Sequence, residues 1–184
     1  MPEPTKDIVY FDLETKRTAN DAGGWDKQAL MGMSIGVTYS TKLDAYKIYT
    51  DSEEDVNTLV QQLLRADLVV GFNLVKFDYE VLMGYTPYDL PSLVPTLDLL
   101  LDLTEKIGHR IGLDAVSQST LGIGKTGDGL DAIKWWREGR ILEIAEYCCY
   151  DVKATKLVHE YGCLHKKVFY HDRAQQKRTV PVTW

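Results

Sequence analysis

The sequence predicts an α/β fold built on a mixed sheet, and three stretches carry that expectation. Ile8-Val9-Tyr10-Phe11 is a continuous apolar run that enters Asp12-Leu13-Glu14-Thr15, the pattern of a strand buried on both faces. Residues 30–39 and 43–50 read as two strands joined by a Ser40-Thr41-Lys42 turn, an antiparallel meander. A helical pattern after Ser52 then leads into the buried run Asp67-Leu68-Val69-Val70-Gly71-Phe72. A helix feeding a buried strand implies a crossover and a partly parallel sheet.

Taken in order, residues 16–27 form a polar, Gly-containing loop that holds Trp25. Ser52-Glu53-Glu54-Asp55 is a capping-box pattern with acids in the first turn. Val56, Leu59, Val60, Leu63 and Leu64 follow at helical spacing. Asn73 to Asp78 leaves the next strand, and a helix is expected from Tyr79. Residues 84–95 are rich in Pro and Tyr and predict a loop, and 96–101 a last strand. Residues 113–120 predict a short helix closed by Gly122, 122–129 a Gly-rich connection, and 140–162 the longest helix.

Length and composition set the bounds. The chain has 184 residues, enough for one domain with a sizeable core and too few for two ordinary ones. The expectation is a single domain over 1–184 with a basic tail over 165–184. Hydrophobic content of 45% and charged content of 26% are those of a soluble globular protein. No apolar run suits a membrane span, and the first residues lack a basic-then-apolar signal pattern, so a cytoplasmic location and no membrane partner are expected. Cys148, Cys149 and Cys163 include no Cys-x-x-Cys pair and read as free thiols. The net charge of −6 argues against a protein that coats nucleic acid by charge, but a cluster of metal-binding acids also makes the count negative. In the tail, Lys166, Lys167, Arg173, Lys177 and Arg178 face only Asp172. Such a cluster is either a solvated end or a phosphate contact.

Acids on the buried elements carry the functional reading. Asp12 and Glu14 are two apart on a strand and project from one face. Two such charges at about 4 Å repel by about 4 kcal/mol for an effective dielectric near 20. Either the strand ends there in solvent, or a hard cation such as Mg²⁺ or Mn²⁺ sits between the oxygens. Tyr147 and Asp151 are four apart and share a helix face with Ile144, Cys148, Thr155 and Val158, so Asp151 lies in an apolar stripe and needs a partner. Asp78 follows a buried strand, where it either caps the next helix or stands beside Asp12 at the carboxyl ends of parallel strands.

These residues resemble the DEDD exonucleases. Asp12-Leu13-Glu14 resembles the first motif, Asp-x-Glu. Asn73-Leu74-Val75-Lys76-Phe77-Asp78 is similar to the second, and Tyr147 through Asp151 to the third, Tyr-x-x-x-Asp, of the tyrosine branch (DEDDy). Residues 113–151, with Thr120-Leu121-Gly122 and Trp135-Trp136-Arg137-Glu138-Gly139, are similar to compact ribonuclease-H-like exonuclease domains found alone or beside helicases in bacteria. The resemblance implies a ribonuclease-H-like fold, a mixed five-stranded sheet with its second strand antiparallel, flanked by helices. It implies 3′→5′ removal of nucleoside monophosphates from single-stranded DNA or RNA ends, with a helicase or another repair or RNA-processing protein as a possible partner. It makes Asp12, Glu14, Asp78 and Asp151 ligands of two divalent cations, Mg²⁺ or Mn²⁺, with Asp12 bridging and Tyr147 orienting the attacking water. Phe72, Asn73 and Lys125 become candidate substrate contacts by the same analogy.

Other features compete with this reading. Gly122-Ile123-Gly124-Lys125-Thr126 resembles the end of a P-loop, but Ser119 stands where the first Gly belongs. Asp98, at the end of an expected strand, is a candidate outer-shell acid, and Asp114 a helix cap. His109, His159, His165 and His171 share no metal-ligand spacing. Trp135 and Trp136 are expected to pack. The rival functions are a non-catalytic nucleic-acid or protein-binding module on the same scaffold, and an endonuclease that would cut circular substrate.

Overall fold

The computed structural model describes residues 6–124 and 129–184. Its centre is a five-stranded sheet with spatial order β3-β2-β1-β4-β5. Strand β1 (Ile8–Thr15) pairs antiparallel with β2 (Met33–Ser40), which pairs antiparallel with β3 (Ala45–Thr50). On its other side β1 runs parallel to β4 (Leu68–Gly71), which runs parallel to β5 (Thr96–Asp98). This is the expected mixed sheet with its second strand antiparallel, and two cores cover it. The alternation of β1 sends Val9, Phe11 and Leu13 to one core and Tyr10 to the other, which places Asp12 and Glu14 on Tyr10's side.

A helical turn, α1 (Ala19–Ala22), interrupts the loop expected over 16–27, and the first core is closed by α2 (Glu53–Arg65), whose Val56, Leu59, Val60 and Leu63 are buried. Each such side chain contributes about 1.5–3 kcal/mol of burial. Ser52 caps this helix by accepting from Asp55 N at 3.2 Å. The capping box is only half made, because the Asp55 carboxylate turns outward and accepts from Thr50 N at 2.8 Å. A crossover through this helix makes β1 and β4 parallel.

The second core is closed by α8 (Ile141–His165), which lies across β2, β1 and β4. The Tyr10 hydroxyl meets His159 Nδ1 at 2.9 Å, and burial holds that imidazole below its ordinary value. His159 is therefore a satisfied core histidine, its Nδ1 held by Tyr10 and its Nε2 by Cys163.

Several elements depart from expectation. The loop over 84–95 contains a helical turn, α4 (Leu90–Leu93), after α3 (Tyr79–Leu82). The strand expected over 96–101 stops at Asp98, whose side chain caps α5 (Leu99–Ile107) by accepting from Leu100 N at 3.0 Å. Helix α6 (Leu113–Leu121) ends at Gly122 in the left-handed region as expected, but Gly112, not Asp114, is its N-cap. Helix α7 (Gly129–Glu138) was not anticipated; its Ala132 and Ile133 are buried against the sheet side of the molecule. The basic tail is no loose end. Residues 167–171 and 177–181 form an antiparallel hairpin, β6 (Lys167–His171) and β7 (Lys177–Pro181), pinned to the core through Val168, Val180 and Val182. Among the described residues no helix is long and apolar enough to cross a membrane.

Candidate active site

The site forms where β1 outruns its parallel neighbour. Pairing with β4 covers Ile8 to Tyr10 and then stops, while pairing with β2 continues past Glu14. Beyond Tyr10 that edge of β1 is therefore free to meet side chains. The Asp78 carboxylate takes it: Oδ1 accepts from Leu13 N at 3.0 Å. Asp78 makes no capping bond to the following helix, so the capping role does not hold.

On the opposite side, α8 delivers Tyr147, Cys148 and Asp151 to β1. One oxygen from each of Asp12, Glu14 and Asp151 lies within 4.8 Å of the others. Asp78, 2% exposed, stands apart from this cluster but near enough to act on Asp12 electrostatically. The Cys148 thiol donates to Asp12 Oδ2 at 3.4 Å, a contact that the adjacent Tyr-x-x-x-Asp spacing did not single out.

Like charges in this low-dielectric pocket push one another up. Burial, then the Asp151 charge, raises Asp12 well above the usual carboxylate range, against the Cys148 hydrogen bond. Burial, then Asp12, does the same to Asp78, against the donation from Leu13 N. Burial and the neighbouring Asp151, Glu14 and Asp12 raise the Tyr147 phenol, which also hydrogen-bonds Asp151. A phenol held protonated can donate a hydrogen bond but makes a poor base at neutral pH. Hard oxygen donors, packed tightly enough to resist ionising together, fit a divalent cation that would relieve the repulsion.

The second motif is held by a side chain outside it. Asn73 adopts the left-handed region at φ 77°, where Asn is better tolerated than most residues. A π-helical turn over Leu74–Asp78 follows and swings Asp78 back toward β1. Gly71 permits the turn, because a Cβ there would collide with the Leu74 side chain. Asp98 fixes the geometry: it accepts from Asn73 N at 2.9 Å, Val75 N at 3.1 Å, Leu100 N at 3.0 Å and Leu101 N at 3.3 Å. The expected outer-shell acid thus acts by organising backbone, with Arg110 Nη2 on the Asn73 amide oxygen at 3.3 Å.

A cleft of about 340 Å³ opens over Asp12, Glu14 and Asp78, walled by Phe72, Phe77 and Trp25. Trp25 is 72% exposed at its mouth. The sequence showed only a loop tryptophan; nothing in its spacing tied it to the acids 11 or more residues away. Trp135 packs edge-on against Tyr147, with ring centroids 6.2 Å apart, and Lys16 sits over Trp136 at 5.1 Å. Both tryptophans pack, as expected. Gly122-Ile123-Gly124 follows a helix, not a strand, which removes the P-loop reading. Lys125 lies outside the described residues.

Comparison with known proteins places this geometry in a family. A model of the RNase_H superfamily (RNase_H_2) matches residues 9–163, and the chain belongs to that superfamily. Among solved structures the chain is similar to the family B DNA polymerase of the hyperthermophilic archaeon Pyrobaculum calidifontis, with a TM-score of 0.65 at 16% identity. The match covers 88% of this chain and 25% of the polymerase, so the chain spans about a quarter of that protein's length. No curated protein sequence matches. The fold is thus ribonuclease-H-like, and its acidic cluster fits divalent metal binding.

Proposed function

We propose that the protein is a metal-dependent 3′→5′ exonuclease of the tyrosine branch of the DEDD group, acting on single-stranded ends. The observation that carries the reading is the convergence of Asp12, Glu14 and Asp151 beside Tyr147, with Asp12 and Glu14 lining a cleft. Direction and branch rest on the resemblance of the three motifs.

Asp12, Glu14 and Asp151 would hold a divalent cation, and Asp78 would help to hold a second. Such ions, when bound, lower the pKa of a water and stabilise the entering and leaving oxygens of an in-line displacement at phosphorus. The chain's own residues do the rest. Tyr147 donates a hydrogen bond and orients the attacking water without taking its proton. Cys148 fixes the Asp12 carboxylate from behind. Phe72, Phe77 and the exposed face of Trp25 offer apolar surface on which a terminal base can stack, worth about 1–3 kcal/mol per base. Phe72 and Asn73 are the proposed contacts to the terminal nucleotide.

End-labelled DNA and RNA strands incubated with Mg²⁺ or Mn²⁺ test this reading. A 5′ label should give a descending ladder, a 3′ label should release mononucleotide at once, and chelator should stop both. Cutting of circular strands would instead favour an endonuclease, and no product on any strand would favour a binding module. Tyr147→Phe should lower kcat by about 10- to 100-fold, a loss of about 1.4–2.7 kcal/mol of transition-state stabilisation. Its metal affinity should stay near wild type, and an unchanged kcat would remove the positioning role.

A further inference from the structure

We propose that the β6–β7 hairpin is a second docking surface, holding the single strand several nucleotides away from the end that occupies the cleft. The inference rests on the nuclease reading and adds to it a binding surface outside the cleft.

Charge is the first observation. Residues 165–184 carry five cations against Asp172 alone, a net +4 in a chain whose total is −6, so the remainder carries −10. A polyanion approaching this molecule is repelled over most of it and attracted here.

The second observation is which face carries the charge. Strand alternation turns Val168 and Val180 inward and sets Lys167 and Phe169 on the other face with Lys177; the Phe169 ring is half-buried, edge-on to Tyr161 at 6.4 Å, and His171 is held by Ser119 of α6 at 2.8 Å. Lys177 Nζ lies 4.3 Å and Lys167 Nζ 5.8 Å from the centre of the Phe169 ring. Cations interleaved with an aromatic face are the recurring surface for single strands, where phosphates meet the charges and a base meets the ring. Arg178 is paired with Asp172 at 2.6 Å, whereas Lys167, Arg173 and Lys177 are exposed.

The third observation is continuity with the cleft. Arg110 hydrogen-bonds Asn73, which lines the cleft, and the neighbouring His109 ring stands edge-on to Tyr170 of β6 at 6.0 Å. Arg110 and His109 thus join the cleft to the hairpin, meeting β6 on the face opposite Lys167 and Phe169. The distance from the acids follows from α8. Asp151 and His165 are 14 residues apart on that helix, a span of about 21 Å at about 1.5 Å per residue. At about 3.4 Å per stacked nucleotide that is about six nucleotides.

The test is a Lys167→Gln/Arg173→Gln/Lys177→Gln variant, all three at exposed positions away from the acids. A thermal unfolding curve equal to that of the wild type checks that the variant keeps its fold. Binding to a long strand (about 20 nucleotides) of DNA and of RNA, followed by anisotropy in chelator, should weaken by at least about tenfold at low salt. The slope of log affinity against log salt should fall by about 2, from about 0.7 per cation. Cleavage of a trinucleotide with Mn²⁺ should be unchanged, because it is too short to reach the hairpin. A long-strand affinity and salt slope equal to wild type, or no long-strand binding by the wild type, would overturn the proposal. Failure of the wild type to cleave the trinucleotide would sink the nuclease reading instead, and the chelated binding measurement still decides the hairpin.

Discussion

Asp12→Asn should fold, melt higher than the wild type in the absence of metal, and turn over at no more than about a thousandth of the wild-type rate. The rate loss of about 4 kcal/mol is what removal of a shared metal ligand implies. The stability gain follows from linkage. Burial and Asp151 raise the Asp12 carboxyl in the folded protein above its ordinary value. A group raised in this way favours folding most below its unfolded value and becomes a cost as pH rises through the folded value. At neutral pH the metal-free protein bears that cost, and Asn, of nearly equal shape, removes it. Cations should relieve the same repulsion in the wild type. At one hundred times Kd a ligand adds about 2.7 kcal/mol, which at about 2–4 °C per kcal/mol for a chain of this size is roughly 5–11 °C in Tm. The variant should lose most of that gain. Thermal melts with and without Mn²⁺, read beside single-turnover hydrolysis, check both halves; a variant that melts lower without metal or cleaves normally contradicts the account.

Asp98→Ala should be the most damaging substitution away from the acids. It would strand four backbone N–H groups around a carboxylate that is 6% exposed. Each unsatisfied buried donor costs about 1–3 kcal/mol, and allowing for partial access of water the total is about 3–5 kcal/mol. Activity should fall as well, because the turn over Leu74–Asp78 loses the anchor that aims Asp78 at Leu13 N. Asp98→Asn keeps an accepting oxygen and should recover much of the stability. An Asp98→Ala protein with wild-type Tm would show that the second motif is held by other means.

How much of this was legible in the sequence depends on the range of the interaction. The buried strand at Ile8–Thr15, the capped helix after Ser52 and the Gly122 stop are local patterns, and each appears where its residues predict. The acids were legible because charge inside an apolar strand or helix face is costly and demands a partner. What they would meet was not. Asp78 looks like a cap from its neighbours, and only the early end of the β1–β4 pairing exposes the N–H that claims it. Asp98 looks like a strand terminus, and its hold on Asn73 and Val75 spans a contact between two elements. Helix α7 does carry an amphipathic period in Ala132, Ile133, Trp135 and Trp136, but it is short and bounded by Gly129 and Gly139, which favour a connection. The hairpin was hidden because charge dominates its composition, while a few valines, Val168, Val180 and Val182, anchor it.

The proposed function requires the Asp12, Glu14 and Asp151 cluster, with Asp78 beside it on Leu13 N, to take up divalent cations. Titration of Mn²⁺ followed by electron paramagnetic resonance counts the bound ions directly. The wild type should take up two ions per chain, and Asp12→Asn and Asp151→Asn should each abolish tight uptake. A wild-type chain that binds no Mn²⁺, or one whose uptake survives both substitutions, would contradict it.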